Sequence, residues 1–273
     1  MMPAVMSSRP CLLLTNDDGI HSPGLAALAL ALCPVGDVYV LAPETEQSSV
    51  SHAITLGRPL RLRPLDDRPR PNRPKITRWA LDGTPADCTY VALHYEKLLP
   101  RPPDLVVSGI NLGSNLGTDV FYSGTVAGAR EAALRGVCAV AFSMPSEADV
   151  RASARRAAVI VRRLWAWREA HPRAHAVLLN VNFPRERPRG VRATTLGTRD
   201  YENVVEIRHD PRGRQYLWIG GPSLASPAPA GSDTAAFAAG YTGVTALRLD
   251  LTHIDQQHVA EAMLSPRRGR AAP

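Results

Sequence analysis

From Cys11 to Pro184 the chain alternates short apolar runs with longer mixed stretches. The runs CLLLT (Cys11–Thr15), DVYVLAP (Asp37–Pro43), DLVVSG (Asp104–Gly109), VCAVAFS (Val137–Ser143) and AVLLNVNFP (Ala176–Pro184) have the length and β-branched content of strands. The stretches between them carry helical patterns: PGLAALALAL from Pro23, with Gly36 as a stop, then Pro85–Leu98, Thr125–Arg135 and Ser146–Ala170. Cys11 to Pro43 therefore reads as a β-α-β unit. The strands are apolar almost throughout rather than alternating, which predicts burial on both faces. The expected fold is α/β, a mostly parallel sheet flanked by helices.

After Pro184 the pattern changes. PRERPRG is a charged, proline-rich connector, followed by strand candidates at Tyr216–Gly221 and Gly243–Leu251. Between these lies the low-complexity loop PSLASPAPAGS. The expected organisation is a catalytic domain over 1–185, a smaller β-rich C-terminal extension over 186–264, and a disordered tail over 265–273. No internal repeat is visible.

Composition narrows the picture modestly. The 273 residues carry a formal net charge of +7. The positive charge is nearly all arginine, since Lys75 and Lys97 are the only lysines, and it reads as compositional bias. The densest basic run, Arg58–Arg78, is studded with prolines that forbid a helix. It is expected to be an exposed loop or edge hairpin, with an electrostatic funnel for anionic substrates as the functional alternative. It lacks the aromatic residues that stack nucleic-acid bases. No apolar run approaches the roughly 18 residues of a membrane span, and Met1–Pro10 does not resemble a secretory signal. Cys11, Cys33, Cys88 and Cys138 form no metal-binding spacing and are expected to be free thiols, which points to the cytoplasm.

Ligands of open α/β sheets bind at the carboxyl ends of the strands. Three polar clusters follow strand candidates here: Asn16-Asp17-Asp18, APETEQSSVSH (Ala42–His52), and SGINLGSNLGTDVFYSGTVAGAR (Ser108–Arg130). Asp17 and Asp18 repel each other, and a turn, a cap or a cation could compensate. The third cluster ends on YSGT ahead of a helix, where Ser123 and Thr125 are natural caps and backbone amides can hold an anion. The glycines are not those of a Walker loop or a dinucleotide fingerprint, and the acidic pair lacks the spacing of an EF-hand. Carboxylates, hydroxyls and an amide suit Mg²⁺, Mn²⁺ or Ca²⁺ better than zinc. His21 and His52 read as loop hydrogen-bonding residues.

The stretches LLLTNDDGIHSPGLAALA, VYVLAPETEQSSVSHAITL, ALDGTPADCTYVAL, PDLVVSGINLGSNLGTDVFYSGTVAGAREAAL and LLNVNFP resemble, in the same order, the SurE family of survival-protein-E 5′/3′-nucleotidases. The resemblance implies a Rossmann-like domain with a C-terminal extension that builds homodimers or homotetramers. It implies one divalent metal ion per subunit, Mg²⁺ or Mn²⁺, on Asp17, Asp18, Ser48 and Asn111. It also implies a phosphate site at Asn115, Ser123, Gly124 and Thr125, with Asp18 as the catalytic candidate that orients or deprotonates water. The implied reaction is hydrolysis of nucleoside 5′-monophosphates and, in some members, 3′-monophosphates or polyphosphate. No membrane or stable nucleic-acid partner is expected. The chain departs from the usual SVTPL near the C-terminus, with GVTAL at Gly243–Leu247. Two alternatives remain open: polyphosphate cleavage as the main role, and a nucleotide- or RNA-binding module without turnover.

Overall fold

The first apolar run becomes β1 (Cys11–Thr15), and the chain turns through Asn16–Ser22 into α1 (Pro23–Leu32) and back along β2 (Asp37–Pro43). The structure, a computed structural model, describes residues 9–65, 76–202, 204–221 and 228–264. The further elements are β3 (Leu62–Leu65), β4 (Thr77–Leu81), α2 (Pro85–His94), β5 (Leu105–Leu112), α3 (Gly124–Leu134), β6 (Cys138–Met144), α4 (Val150–Ala170) and β7 (Leu178–Asn182). They are followed by β8 (Val191–Thr194), β9 (Val204–His209), β10 (Gln215–Gly220), α5 (Asp233–Ala238), β11 (Thr242–Leu247) and α6 (Gln257–Leu264).

The helix starts are written in the sequence. Pro23 stands at the first position of α1 behind Ser22, whose hydroxyl accepts from the Gly24 amide. Thr84 and Asp87 form a reciprocal capping box ahead of α2, and Asp149 accepts the Arg151 and Ala152 amides ahead of α4. Each cap satisfies amides that the helix itself cannot.

Nine of the described strands form one sheet in the order β3-β4-β2-β1-β5-β6-β7-β11-β8. From β4 to β7 neighbouring strands are parallel. α1 and α4 cover one face and α2 and α3 the other. Leu12 and Leu14 point into the first core with Leu25, Leu28 and Val161, while Leu13 points into the second with Cys88, Val126 and Ala129. That split within a single strand explains why the strands read as continuous apolar runs. At one place the layers are pressed together: a Cβ at Gly24 would lie 2.0 Å from the Ile110 carbonyl oxygen, so the start of α1 rests directly on β5.

Two expectations change and one is met. Strand Asp104–Gly109 does not stop at Gly109; it passes through an irregularity between Ser108 and Asn111 and continues to Leu112, so Asn111 is a strand residue. The arginine-proline run matches the expected edge hairpin where it is described: it contributes β3, an edge strand paired antiparallel to β4, and residues 66–75 of it lie outside the described residues. Residue 185 does not separate two sheets: β11 pairs antiparallel with β7 and parallel with β8, so much of the later chain returns to the main sheet. The hairpin β9–β10 does stand as its own two-stranded ribbon, with every residue exposed. The expected tail 265–273 lies outside the described residues. Among the described residues no helix is long and apolar enough to cross a membrane.

Candidate active site

The direction of strand connection reverses at β1: the chain leaves it toward β2 on one side, while β5 lies on the other. Such a switch point opens a crevice at the carboxyl ends of the two strands. Asp17 and Asp18 follow β1, Asn111 ends β5, and the loop after β2 folds over both. The Gln47 amide donates to the Asp17 carbonyl at 2.7 Å, which brings Gln47 and Ser48 alongside Asp17. The Leu112 amide donates to Asp18 Oδ2 at 3.2 Å, which ties Asp18 to the end of β5. Three loops far apart in sequence thus meet where the sequence pattern places them.

The two carboxylates differ. Asp17 is buried, and its carboxylate takes both the Thr125 amide, at 2.9 Å to Oδ2, and the Thr125 hydroxyl, on Oδ1. Burial holds its pKa above the ordinary carboxylate value, against the lowering effect of the Thr125 hydrogen bonds. Burial also raises Asp18, with the Asp17 charge next, to about 6. Two adjacent carboxyls that both resist ionisation gain most from a bound cation.

The start of α3 completes the crevice. The Ser123 hydroxyl accepts from the Val126 amide at 3.0 Å and keeps its own proton to give. The Ser123 amide donates to the Asp119 carbonyl and the Thr125 amide to Asp17. Among the described residues the Gly124 amide between them has no acceptor. Thr125, expected from the resemblance at the phosphate site, instead directs both its donors at Asp17. Gly124 sits so close that an added Cβ would lie 2.8 Å from Asp17 Cβ and 3.2 Å from the Gln47 carbonyl oxygen.

Asn115 is buried rather than displayed. Its side-chain amide meets the Ser143 hydroxyl at 2.8 Å, and its backbone is held by Asn180 and Asn182 of β7. Further along the same loop the Gly117 amide donates to Asp233 Oδ2 at 2.9 Å, and Asp119 pairs with Arg199 at 2.7 Å and accepts from the Tyr201 hydroxyl. The β2 loop is pinned similarly: His52 Nε2 lies 2.8 Å from buried Glu131 of α3, and the Ser51 amide donates to the Tyr122 carbonyl. Ser143, Asn180, Asn182, Glu131, Asp233 and Arg199 were not singled out from sequence. Polar residues inside apolar strand and helix patterns, above all the two asparagines of LLNVNFP, were the available signal.

The family model described as survival protein SurE matches residues 12–203. The chain belongs to the SurE family. A relative from Sorangium cellulosum named 5′-nucleotidase SurE is 47% identical over 253 residues, covering 92% of this chain and 95% of that protein. One from Thermus thermophilus, named 5′-nucleotidase SurE 1, is 46% identical over 243 residues, covering 88% and 92%. The crystal structure of the SurE protein from Aquifex aeolicus superposes with a TM-score of 0.77 at 35% identity, covering 94% of this chain and all of that one.

For a SurE-family site, the donors present fit a hard divalent cation. Among the described residues no three His, Cys, Asp or Glu side chains cluster as metal ligands, so the two carboxylates need neutral oxygens beside them. The Asn111 amide nitrogen is taken up by the Gly113 carbonyl at 2.7 Å, which leaves its oxygen for a ligand. The Ser48 hydroxyl proton is directed to Glu46, which leaves the oxygen lone pairs. Asn16 Oδ1, on the residue before the pair, is buried with no hydrogen-bond partner among the described residues.

Proposed function

We propose that this chain hydrolyses nucleoside 5′-monophosphates to nucleoside and phosphate, with 3′-monophosphates as a second substrate class. The observation that carries this is the meeting of the Asp17–Asp18 pair with the first turn of α3 at the sheet's switch point. The names of relatives 46–47% identical over most of the chain support the substrate class. One Mg²⁺ or Mn²⁺ on Asp17, Asp18, Ser48 and Asn111 would neutralise the carboxylate pair and polarise a phosphoryl oxygen. Phosphoryl transfer asks the protein mainly for positioning and charge stabilisation. The Gly124 amide and Ser123 hydroxyl hold nonbridging oxygens as charge develops on them, and the dipole of α3 adds to that stabilisation. Thr125 keeps Asp17 fixed. Asp18 lies nearer solvent than Asp17 and orients the attacking water, taking its proton as the water oxygen bonds to phosphorus and the phosphorus–ester oxygen bond breaks, while the departing nucleoside oxygen takes a proton from solvent. Asn115 shapes the floor of the phosphate site.

The same reading extends to assembly and location. An isolated two-stranded ribbon is marginal in water. Here β9–β10 exposes Val205, Ile207, Leu217 and Trp218, and Ile219 is 90% accessible, while every residue of α6 is exposed as well. A second copy of the chain covering these surfaces gives a homodimer, or a homotetramer if both are used separately. Four free cysteines, three of them buried, suit a reducing cytoplasm.

The test is phosphate release from 5′- and 3′-monophosphates and from polyphosphate, each with Mg²⁺, Mn²⁺ or chelator. Metal-dependent release from a monophosphate is expected, with Asp18→Asn lowering kcat/KM at least about 100-fold. Nucleotide binding without release would identify a binding module instead. Release from polyphosphate alone would reassign the substrate.

A further inference from the structure

We infer that Asn182, assisted by Asn180, is the positioning residue of the phosphate loop, acting through the backbone of Asn115. The inference rests on the phosphate-site reading above. Between the end of β5 and the short 3-10 turn Gly117–Phe121, residues 113–116 have no helix or strand partners of their own. Something remote must fix them. Three backbone amides of this stretch and its continuation are each taken by a separate acceptor: Gly113 by the Met144 carbonyl at 2.8 Å, Asn115 by Asn182 Oδ1 at 2.9 Å, and Gly117 by Asp233 Oδ2 at 2.9 Å.

The Gly113 carbonyl takes one donor, Asn111 Nδ2 at 2.7 Å, whereas the Asn115 carbonyl takes two, both from β7. Asn182 Nδ2 reaches it at 2.9 Å and Asn180 Nδ2 at 2.8 Å. Asn182 therefore reads both polar groups of one residue's backbone with its two amide atoms. It fixes rotation of the Asn115 backbone in a way that a single hydrogen bond cannot. The side chain of Asn115 is set by Ser143 at 2.8 Å. The Asn115 NH₂ group donates to that hydroxyl, which leaves its second N–H and its side-chain oxygen for other partners.

The location of the two asparagines argues against a role confined to the core. Leu178, Asn180 and Asn182 share one face of β7, since side chains alternate along a strand. Leu178 packs into the core beneath α2 and α3. Asn180 and Asn182 are each 1% exposed and continue that same face. A buried amide in such a place is costly unless its hydrogen bonds are made, and an aliphatic residue would pack there at no such cost. What the asparagines supply is the geometry of the loop that bears Asn115. The pair also lies opposite β11, Asn182 facing Gly243 and Asn180 facing Thr245 in the antiparallel pairing, so the loop is registered against the later chain as well.

The experiment is a double-mutant cycle on the full chain with Asn182→Ala and Asn115→Ala. It is read by inorganic phosphate affinity from calorimetry in the presence of Mn²⁺, and by KM and kcat for a nucleoside monophosphate. Asn182→Ala is expected to weaken phosphate affinity and lower kcat/KM about 30-fold, with the thermal shift produced by Mn²⁺ alone unchanged. The double variant is expected to lose no more than the worse single variant, because both act through one group. Asn182→Asp retains an acceptor for the Asn115 amide but sets an oxygen against its carbonyl, and is expected to fall as far as alanine. Asn182→Ser, which restores one of the two contacts, recovers part of the loss and serves if the alanine variant does not fold. Losses that multiply in the double variant, or unchanged phosphate affinity in Asn182→Ala and Asn182→Ser, would overturn the inference. Phosphate binding without hydrolysis in the unaltered chain sinks the hydrolase reading alone and leaves the cycle to be decided on affinity.

Discussion

Replacing Gly124 by alanine tests the contact on which the site depends most directly. On helix propensity alone the change should help, by about 1 kcal/mol. Gly124 has no positive φ to lose, so its backbone accepts alanine. The obstacle is space. The new methyl would lie 2.8 Å from Asp17 Cβ, 3.1 Å from Asp17 Oδ2 and 3.2 Å from the Gln47 carbonyl oxygen. None of these is the end of a flexible chain: Asp17 is gripped by Thr125 and its carbonyl holds the Gln47 amide at 2.7 Å. Overpacking of this kind costs about 1–3 kcal/mol, so the net loss in stability is about 0–2 kcal/mol. For a domain of this size that lowers Tm by no more than about 8 °C. The larger effect is expected in function, because relief requires Asp17 to move by several tenths of an ångström. Misplacement on the scale of an ångström can cost about 100-fold in rate, so a 10- to 100-fold fall in kcat/KM is the expected outcome. Phosphate release under saturating Mn²⁺ and differential scanning calorimetry measure the two effects separately. Gly57→Ala is the control, since a Cβ there meets nothing within 4 Å. A Gly124→Ala protein with raised Tm and undiminished kcat/KM would refute the reasoning.

Asp233 accepts the Gly117 and Gly197 amides while 1% exposed, so Asp233→Ala orphans two buried donors. At about 1.5–3 kcal/mol for each charged hydrogen bond, a loss of about 3–6 kcal/mol is expected in urea unfolding, and a loss under 1 kcal/mol would show that water replaces the carboxylate. Trp218→Asp together with Ile219→Asp on the exposed ribbon is expected to lower the solution mass toward that of one chain, measured by light scattering; an unchanged mass would place the contact elsewhere. Burial raises the Cys11 thiol to about 11, so at pH 8 only about 0.1% of it is thiolate, against about 10% for a thiol at the ordinary value of 9.0. Its labelling in the native protein should stay slow at pH 8 and climb as pH rises toward 11; labelling at the rate of a free thiol would mean that the start of β1 opens.

The strands and helices that build the crevice were legible because each has a local cause. The run CLLLT is buried on both faces, Pro23 and Ser22 open α1, Thr84 and Asp87 open α2, and Ser123 caps α3. What was not legible was pairing. β4 inserts beside β2 although its sequence, TRWAL, has no distinctive alternation, and β11 returns to β7 across a stretch that looked like a separate unit. Register and neighbour choice are decided by contacts between residues far apart in the chain, and a single sequence carries no local record of them.

The candidate site divides along the same line. The sequence by itself determined the chemical inventory: two adjacent carboxylates after a buried strand, a hydroxyl loop, an asparagine strand end and a capped helix start. Those residue types suit a hard cation and an anion better than a soft metal, since local chemistry is set by the atoms present. Only the tertiary structure decided which atoms are free to act. It turned Thr125 onto Asp17, left the Gly124 amide open, buried Asn115, and brought Asn180, Asn182 and Asp233 to hold a loop more than sixty residues away in sequence. The physical reason is that a hydrogen-bond donor can be spent once. Where it is spent depends on distances that exist only after the chain has folded.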